Sequence, residues 1–355
     1  MNKNTALIIF SFLIIVSCKS NKEINEKKTV FENIESNYRI MFYNLENLYD
    51  ISNDPDTNDD EFTPEGSRYW TNYRFKTKLN NIYKVIAALG GWDLPAIIGV
   101  AEIENRYVLE ALINETPLHK SDYNIIHYDS PDARGIDVAM IYREKKFKPY
   151  FHKKIPVVWS PNIGTGTTRD ILLVSGVTDS NDTLNIFVNH WPSRWGGQME
   201  TEGKRMYVAS LVKKNADSIF NLNSNSNIII MGDLNDYPTD RSLIDVLKTE
   251  TQFEKIISNK LYNLSYYLQE VKKTGTHKYD GQWGMLDQII VSGALLDTKN
   301  KIYTTVYDVH VFDADFLLEP DERYTGQTTN RTYIGYKYHG GFSDHLPTFV
   351  DLKKK

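Results

Sequence analysis

Three observations predict an α/β fold for this chain. Short apolar runs rich in β-branched residues recur between turn-rich segments, longer stretches of helical periodicity fall between several of them, and no internal repeat or second composition regime interrupts the alternation. The 355 residues are 41% apolar and 12% aromatic, enough for one large core or two modest ones, which excludes a disordered or fibrous protein. A formal charge of −5 gives no global basic field for nucleic acid, although a local groove can still attract phosphates.

The chain opens with Lys3 ahead of the apolar run Ala6 to Val16, then Ser17 and Cys18. A charged start, a short apolar stretch and a small residue before a cleavage point read as an export signal, too short to span a bilayer comfortably. Its ending, Ile15-Val16-Ser17-Cys18, resembles the bacterial lipobox, in which cleavage leaves the cysteine as the lipidated first residue. Cys18 is the only cysteine, so no disulfide can form within the chain, and a buried structural thiol does not suit the end of a signal. The reading is therefore a signal peptide over residues 1–17, a lipid-anchored polar tether over 18–36 and one folded domain over 37–355, exported and held on the membrane through Cys18. The tether is assigned because KSNKEINEKKTVFENIES is charged and lacks apolar periodicity.

Within the domain, buried strands are expected at Tyr38 to Tyr43, Ala96 to Ala101, Asp137 to Tyr142, Ile171 to Val177, Leu184 to Asn189, Asn227 to Met231, Leu286 to Val291 and Thr348 to Leu352. Helical patterns cover Phe75 to Leu89, Glu200 to Phe220 and Thr239 to Lys248. Two segments, 50–70 and 160–169, are rich in Asp, Asn, Thr, Gly and Pro and read as long surface loops. The first partly fits a calcium loop through Asp54, Asp56, Asn58 and Glu65. However, Asp59 stands where the sharp turn needs glycine, prolines intrude and no helical pattern flanks it, so a solvated loop is the better reading.

Candidate chemistry lies at the ends of the strands. Gly341-Phe342-Ser343-Asp344-His345-Leu346-Pro347 and Gly232-Asp233-Leu234-Asn235-Asp236 read together as two halves of one metal-assisted hydrolytic site, each placing an acid beside a second polar ligand type. Around them stand Tyr43-Asn44-Leu45-Glu46-Asn47, Val100-Ala101-Glu102-Ile103-Glu104, Arg134-Gly135-Ile136-Asp137, Val188-Asn189-His190-Trp191 and Leu286-Asp287-Gln288. Glu102 follows an apolar run directly, His190 ends one at a strand-to-loop exit, and Asp233 leaves a buried strand toward the same edge.

This ordered set resembles the endonuclease/exonuclease/phosphatase superfamily, the group of pancreatic deoxyribonuclease, abasic-site endonucleases, bacterial sphingomyelinases and inositol polyphosphate phosphatases, over about Tyr38 to Leu352. The resemblance implies a four-layered α/β/β/α sandwich with two mixed central sheets and the site at one sheet edge. It implies Mg²⁺, with Mn²⁺ as a substitute, held by Glu102 with Asn44, Glu46 and Asp344 near it. Such a hard cation takes oxygen ligands and polarises a phosphoryl oxygen. It further implies His345 oriented by Asp287, Asp233 and Asn235 holding the attacking water and a phosphoryl oxygen, and His190 near the leaving group. Which residue takes the proton stays open. Arg134 and Asp137 fall where superfamily members contact substrate, and Arg194, Arg205 and Arg169, around the loop and helix after His190 and before a strand, are candidate phosphate forks. Trp191, Trp195 and Trp283 are candidates for a stacking or lipid-contact rim.

The leading expectation is an exported, lipid-anchored, metal-dependent monomeric phosphoesterase, most simply a nuclease acting on DNA or RNA. A phospholipid phosphodiesterase or a sugar or inositol phosphatase on the same site are the alternatives within the class. A surface-binding lipoprotein that has lost catalysis is the alternative outside it, and predicts gaps in the catalytic set that the sequence does not show.

Overall fold

The computed structural model describes residues 38–355; the expectations for the signal, Cys18 and the tether lie outside the described residues. In chain order the main elements are β1 (Tyr38–Leu48), α1 (Asn72–Gly90), β2 (Ile97–Ile103), α2 (Arg106–Asn114), β3 (Tyr123–His127), β4 (Asp137–Arg143), β5 (Phe147–Ile155), β6 (Ile171–Thr178), β7 (Thr183–His190), α3 (Gln198–Leu222), β8 (Ile228–Asp233), β9 (Thr249–Glu250), β10 (Leu261–Asn263), β11 (His277–Tyr279), β12 (Gln282–Gly284) and β13 (Asp287–Ser292). The C-terminal strand is Thr348–Lys354.

Two large sheets form. The first runs Ile302–Tyr303, Thr348–Lys354, β1, β2, β4, β3, with Val309–Val311 also paired to the C-terminal strand; the second runs β5, β6, β7, β8, β13, β10, β9. Both are mixed, because β1 with β2 and β7 with β8 are parallel while most other pairs are antiparallel. Parallel pairing needs a long crossover, and α1 and α3 supply the two that matter here.

The sheets stack face to face. Gly99 of β2 lies so close to the other sheet that a Cβ there would stand 2.6 Å from Met231 Cε and 3.2 Å from Val188 Cγ1. Ile40, Phe42, Val188, Met231 and Ile289 share one core, which extends on its outer side to Phe75, Leu79, Ile82 and Ile86 of α1 and Val108 and Leu112 of α2. A second core lies under α3, where Val208, Ala209, Val212 and Ala216 pack on Phe187, Ile228 and Ile230. Helices cover both outer faces, as the resemblance implies.

All eight expected strands and the two longer expected helices are present. Thr71 caps α1, its side chain accepting from Arg74 N, and Gly91 ends it at φ +60°. The stretch expected as a helix over Thr239 to Lys248 shortens to a π-helical turn, Ser242–Leu247, ended by Lys248 in the left-handed region. The unforeseen β3 and β5 are sheet edges, and β5 carries Pro149, Lys153 and Lys154 as edge strands do. In the loop 50–70, Asp54, Asp56 and Asn58 are exposed, while Phe62 stacks on Tyr49 at 4.3 Å and Trp70 is fully buried. Among the described residues no helix is long and apolar enough to cross a membrane.

Met231 fills the space between the sheets. Met231→Ala should cost roughly 2–5 kcal/mol, read as a lowered urea midpoint with an unchanged slope; a loss below about 0.5 kcal/mol would show that the sheets do not depend on this contact.

Candidate active site

Strand register assembles the site before any side chain is considered. His190 at the end of β7 pairs with Asp233 at the end of β8, and Asp233 pairs with Asp287 at the start of antiparallel β13, so three polar residues lie in a row across one sheet edge. On the facing sheet Asn44 of β1 pairs with Ala101 of β2. Beyond that pair both strands lose regular register, β1 between Asn44 and Leu48 and β2 between Ala101 and Ile103. These bulges re-aim the chain, putting Glu46 at φ +52°, Asn47 at +56° and Glu102 at +60°. Asn235, after β8, is also left-handed at +51°. Each such residue costs of order 1–3 kcal/mol and is tolerated where the surroundings over-determine it.

Asp233 is the hub. Its Oδ2 accepts from Asn44 Nδ2 at 3.1 Å and lies 3.6 Å from His190 Nε2 and 3.8 Å from His345 Nε2, while its Oδ1 accepts from Asn235 N at 3.0 Å. Burial, with the charges of Asp287 and Glu102, raises its pKa to about 7 against the opposing pull of His345 and Asn235 N. His345 receives the complementary treatment. Burial disfavours its charge, yet Asp287, whose Oδ2 is 2.6 Å from Nδ1, and Asp233 push its pKa well above the ordinary value. Asp287 is fully buried, and its Oδ1 has no partner among the described residues. Its backbone N–H donates to Thr276 Oγ1. His190 goes the other way: burial first, then the charges of Arg169, Arg134 and His345, hold it well below the ordinary histidine range. Its Nε2 is 3.8 Å from Glu102 Oε1, and its buried Nδ1 has no partner among the described residues.

The opposite wall is acidic and internally compensated. Glu102 Oε2 accepts from Asn47 N at 3.0 Å. Glu46 is buried and takes Arg331 Nε on Oε1 at 3.1 Å and Thr332 N on Oε2 at 2.6 Å, with Lys78 Nζ 3.9 Å from Oε2. Asp344 Oδ2 accepts from Arg331 Nη2 at 2.8 Å; burial opposes ionisation, but Arg331, His345 and His277 bring its pKa down to about 2. Lys78, wholly buried, donates to Thr332 Oγ1 at 2.6 Å and Phe342 O at 2.5 Å, and desolvation lowers its pKa to about 8.

Glu46, Glu102 and Asp344, the acids the resemblance names, carry the hard oxygen donors that suit a small divalent cation and are the residues that could hold one. Asn44 stands beside them, its Oδ1 accepting from Glu46 N and its amide donating to Asp233. The closely spaced groups of ligating atoms at this edge are His277 with Asp344 and His345, and Asp233 with Asp287 and His345.

The remaining sequence candidates stand farther back. Arg134 is half-exposed beside Asp132, close enough for its charge to act on His190. Asp137 has both oxygens committed, to His127 Nε2 at 2.8 Å and Ser130 N at 2.7 Å, and so braces the loop that carries Arg134. Arg194 donates to Asn235 O and to Asp240 Oδ2, both at 2.7 Å, and covers the Tyr237 ring; it supports the Asn235 loop. Arg169 is buried against Asp132 and Trp191 O, and Arg205 against Asp236. Trp191 caps the core, whereas Trp195 is 89% exposed. Sequence reasoning missed Lys78, Arg331 and His277, whose ring lies 4.7 Å from that of His345. Only Lys78 had a legible signal, a lysine on the apolar stripe Phe75, Leu79, Ile82, Ile86 of α1.

Two stacked mixed sheets with helices outside, and an acid–histidine edge built from strand ends, define a phosphoesterase fold of the two-sheet sandwich type. Residues 39–354 match the Endonuclease/Exonuclease/phosphatase family, and the chain belongs to it. Its backbone is similar to a mannosyl-6-phosphatase of Bacteroides thetaiotaomicron, at 17% identity over 89% of this chain and 99% of that one with a TM-score of 0.54. It is also similar to the human Nocturnin catalytic domain with bound sulfate anion, at 16% identity over 90% and 94% with a TM-score of 0.52. A third similar structure is D. rerio TDP2 complexed with single strand DNA product, at 11% identity over 89% and 98% with a TM-score of 0.53. At these identities the likeness concerns the fold. No curated protein is significantly similar in sequence.

The raised pKa of Asp233 carries a stability consequence. A carboxyl with a folded-state pKa near 7 and a reference value of 3.8 stabilises the fold below the lower value, and that contribution is lost as pH rises through the window between them. Asp233→Asn should therefore gain stability relative to wild type as pH is raised from 4 to 8, read by urea unfolding at each pH. A difference between the two proteins that does not move with pH would overturn this assignment.

Proposed function

We propose that this protein is an exported, lipid-anchored, metal-dependent phosphoesterase that cleaves phosphodiester bonds of DNA or RNA by attack of water. The observation that carries the hydrolytic reading is the Asp287–His345–Asp233 chain facing His190 and Glu102 across the sheet edge. The export and anchor rest on the sequence of residues 1–18, and the nucleic-acid substrate on exposed Trp195 and half-exposed Arg134, which suit base stacking and phosphate contact. A sugar-phosphate monoesterase is the second reading, supported by the likeness to the mannosyl-6-phosphatase.

A bound divalent cation would supply Lewis-acid polarisation of a phosphoryl oxygen beside Glu46, Glu102 and Asp344. The protein groups divide the rest. Asp233, with a pKa near 7 and aimed by Asn44 and Asn235 N, is the general base that takes a proton from water as its oxygen bonds phosphorus. His345, kept protonated by Asp287, offers an imidazolium Nε2–H to the charge gathering on the phosphoryl oxygens. His190 is neutral, so its Nε2 can carry a proton and donate near the scissile bond without adding charge. The leaving oxygen departs with the electron pair of the broken P–O bond and is protonated from solvent or an acid of the site.

Incubation with magnesium or manganese and double-stranded DNA, single-stranded DNA, RNA, sphingomyelin, a sugar phosphate and a simple phosphodiester tests this. Chelator-sensitive cleavage of nucleic acid that falls by about 10² or more in His345→Ala is expected. The rate should rise through pH 7 and level off above it as Asp233 deprotonates. Cleavage of only the sugar phosphate would transfer the reading to the second alternative, and inertness on every substrate would favour a binding protein.

A further inference from the structure

Arg331 belongs to none of the sequence motifs, yet the structure builds it into the site. Its Nε reaches Glu46 Oε1 at 3.1 Å and its Nη2 reaches Asp344 Oδ2 at 2.8 Å, while Nη1 has no hydrogen-bond partner among the described residues. The side chain is 40% exposed. The backbone beneath it is fixed. Thr332 N holds the second oxygen of Glu46, Thr332 Oγ1 accepts from Lys78, Gly341 N donates to Arg331 O at 3.1 Å and Phe342 N to Asn330 O at 2.6 Å. A Cβ on Gly341 would stand 2.2 Å from Asn330 Oδ1 and 2.5 Å from Arg331 O, so this close approach requires glycine. A surface arginine paired by chance would not have such a mounting.

We propose that Arg331 is the phosphoryl anchor of the site, parked on Glu46 and Asp344 until a divalent cation claims those carboxylates. The proposal rests on the phosphoesterase reading above. The oxygens that hold the guanidinium belong to two of the three acids that would ligate the cation, and a divalent cation bound there would repel a guanidinium resting on the same carboxylates. Displacement leaves a planar fork with N–H donors at the edge of the site, matched in shape and sign to phosphoryl oxygens. Lys78, buried and held by Thr332 and Phe342 O, stays in place as a fixed charge. Arg331 thereby couples loading to substrate binding. It competes with the cation when no phosphate is present, and it rewards cation binding when phosphate is, and the coupling is reciprocal.

Calorimetric titration of the purified protein with magnesium or manganese alone, and with inorganic phosphate at saturating cation, tests this in wild type, Arg331→Gln and Arg331→Lys. Arg331→Gln should bind the cation several-fold more tightly and the cation-loaded form should lose about tenfold or more in phosphate affinity, the scale of a lost charge-assisted hydrogen bond. Arg331→Lys should keep part of both effects, having charge without the fork. Circular dichroism establishes that each variant is folded, and the lysine variant carries the test if the glutamine variant is not. Cation affinity that is unchanged or weaker in a folded variant, or phosphate affinity that is unchanged, overturns the proposal and leaves Arg331 as a structural ion pair. If wild type binds no cation and cleaves no phosphate ester, the phosphoesterase reading itself fails, a result separate from any difference among the Arg331 variants.

Discussion

The Asp233 carboxylate receives contacts from both sheets at once: Asn44 from the first, Asn235 N from its own strand end, and the two histidines from β7 and the loop before the C-terminal strand. Those contacts exist only because β7 and β8 are parallel and β13 antiparallel to them, which brings two strand ends and one strand start to the same edge. A slip of one residue in either pairing would turn the partner side chain to the opposite face and dismantle the row. The apolar packing of Val188 and Met231 against Gly99 is therefore what fixes the distance between the chemical groups of the two sheets.

Much of this was legible in the sequence for a definite reason. Strands buried on both faces read as unbroken apolar runs, and a polar residue that ends such a run must sit at an edge, so Asn44, Glu102, His190, Asp233 and Asp287 announced themselves. What the runs could not reveal was the backbone beyond them. Glu46 and Glu102 are aimed by bulges that leave them at positive φ, and nothing in Leu45-Glu46-Asn47 or Ala101-Glu102-Ile103 specifies that conformation without the neighbouring strand. The edge strand β5 was hidden by the proline and lysines that protect it. Arg331 and His277 lie in segments of weak periodicity, and they reach the site through pairing of 330–332 with 339–342 and, over a long range, of His277 with His345. Asp137 and Arg194 show the converse. Their position in sequence suggested substrate contact; in the structure Asp137 spends both oxygens on the loop that carries Arg134, and Arg194 donates to Asn235 O and Asp240 Oδ2.

The acids and bases of this edge are also set apart by their surroundings rather than by residue type. His190 and His345 stand on either side of Asp233, at 3.6 and 3.8 Å, yet one is driven neutral by burial and nearby arginines and the other charged by two carboxylates. Such divergence between like groups assigns different roles in proton transfer, and it is costly, because a neutral histidine and a half-titrated carboxyl are kept where each would be more stable with a dedicated partner. His190 Nδ1 and Asp287 Oδ1, without a partner among the described residues, are part of the same cost.

Lys78 shows how the remainder of the fold accommodates that cost. An ammonium on the buried stripe of α1 would be untenable in an apolar core, since an unpaired buried charge is worth several kcal/mol against folding. Here it faces Glu46 and donates to Thr332 Oγ1 and Phe342 O, so the helix that seals the first sheet is pinned to the segments carrying Arg331 and Asp344. Two cations, one fixed and buried, the other half-exposed and mounted on the chain that the first one holds, thus stand beside the three acids Glu46, Glu102 and Asp344. The charge left uncompensated on that wall is small enough for the fold to tolerate, while the side chain that can leave is the one nearest solvent.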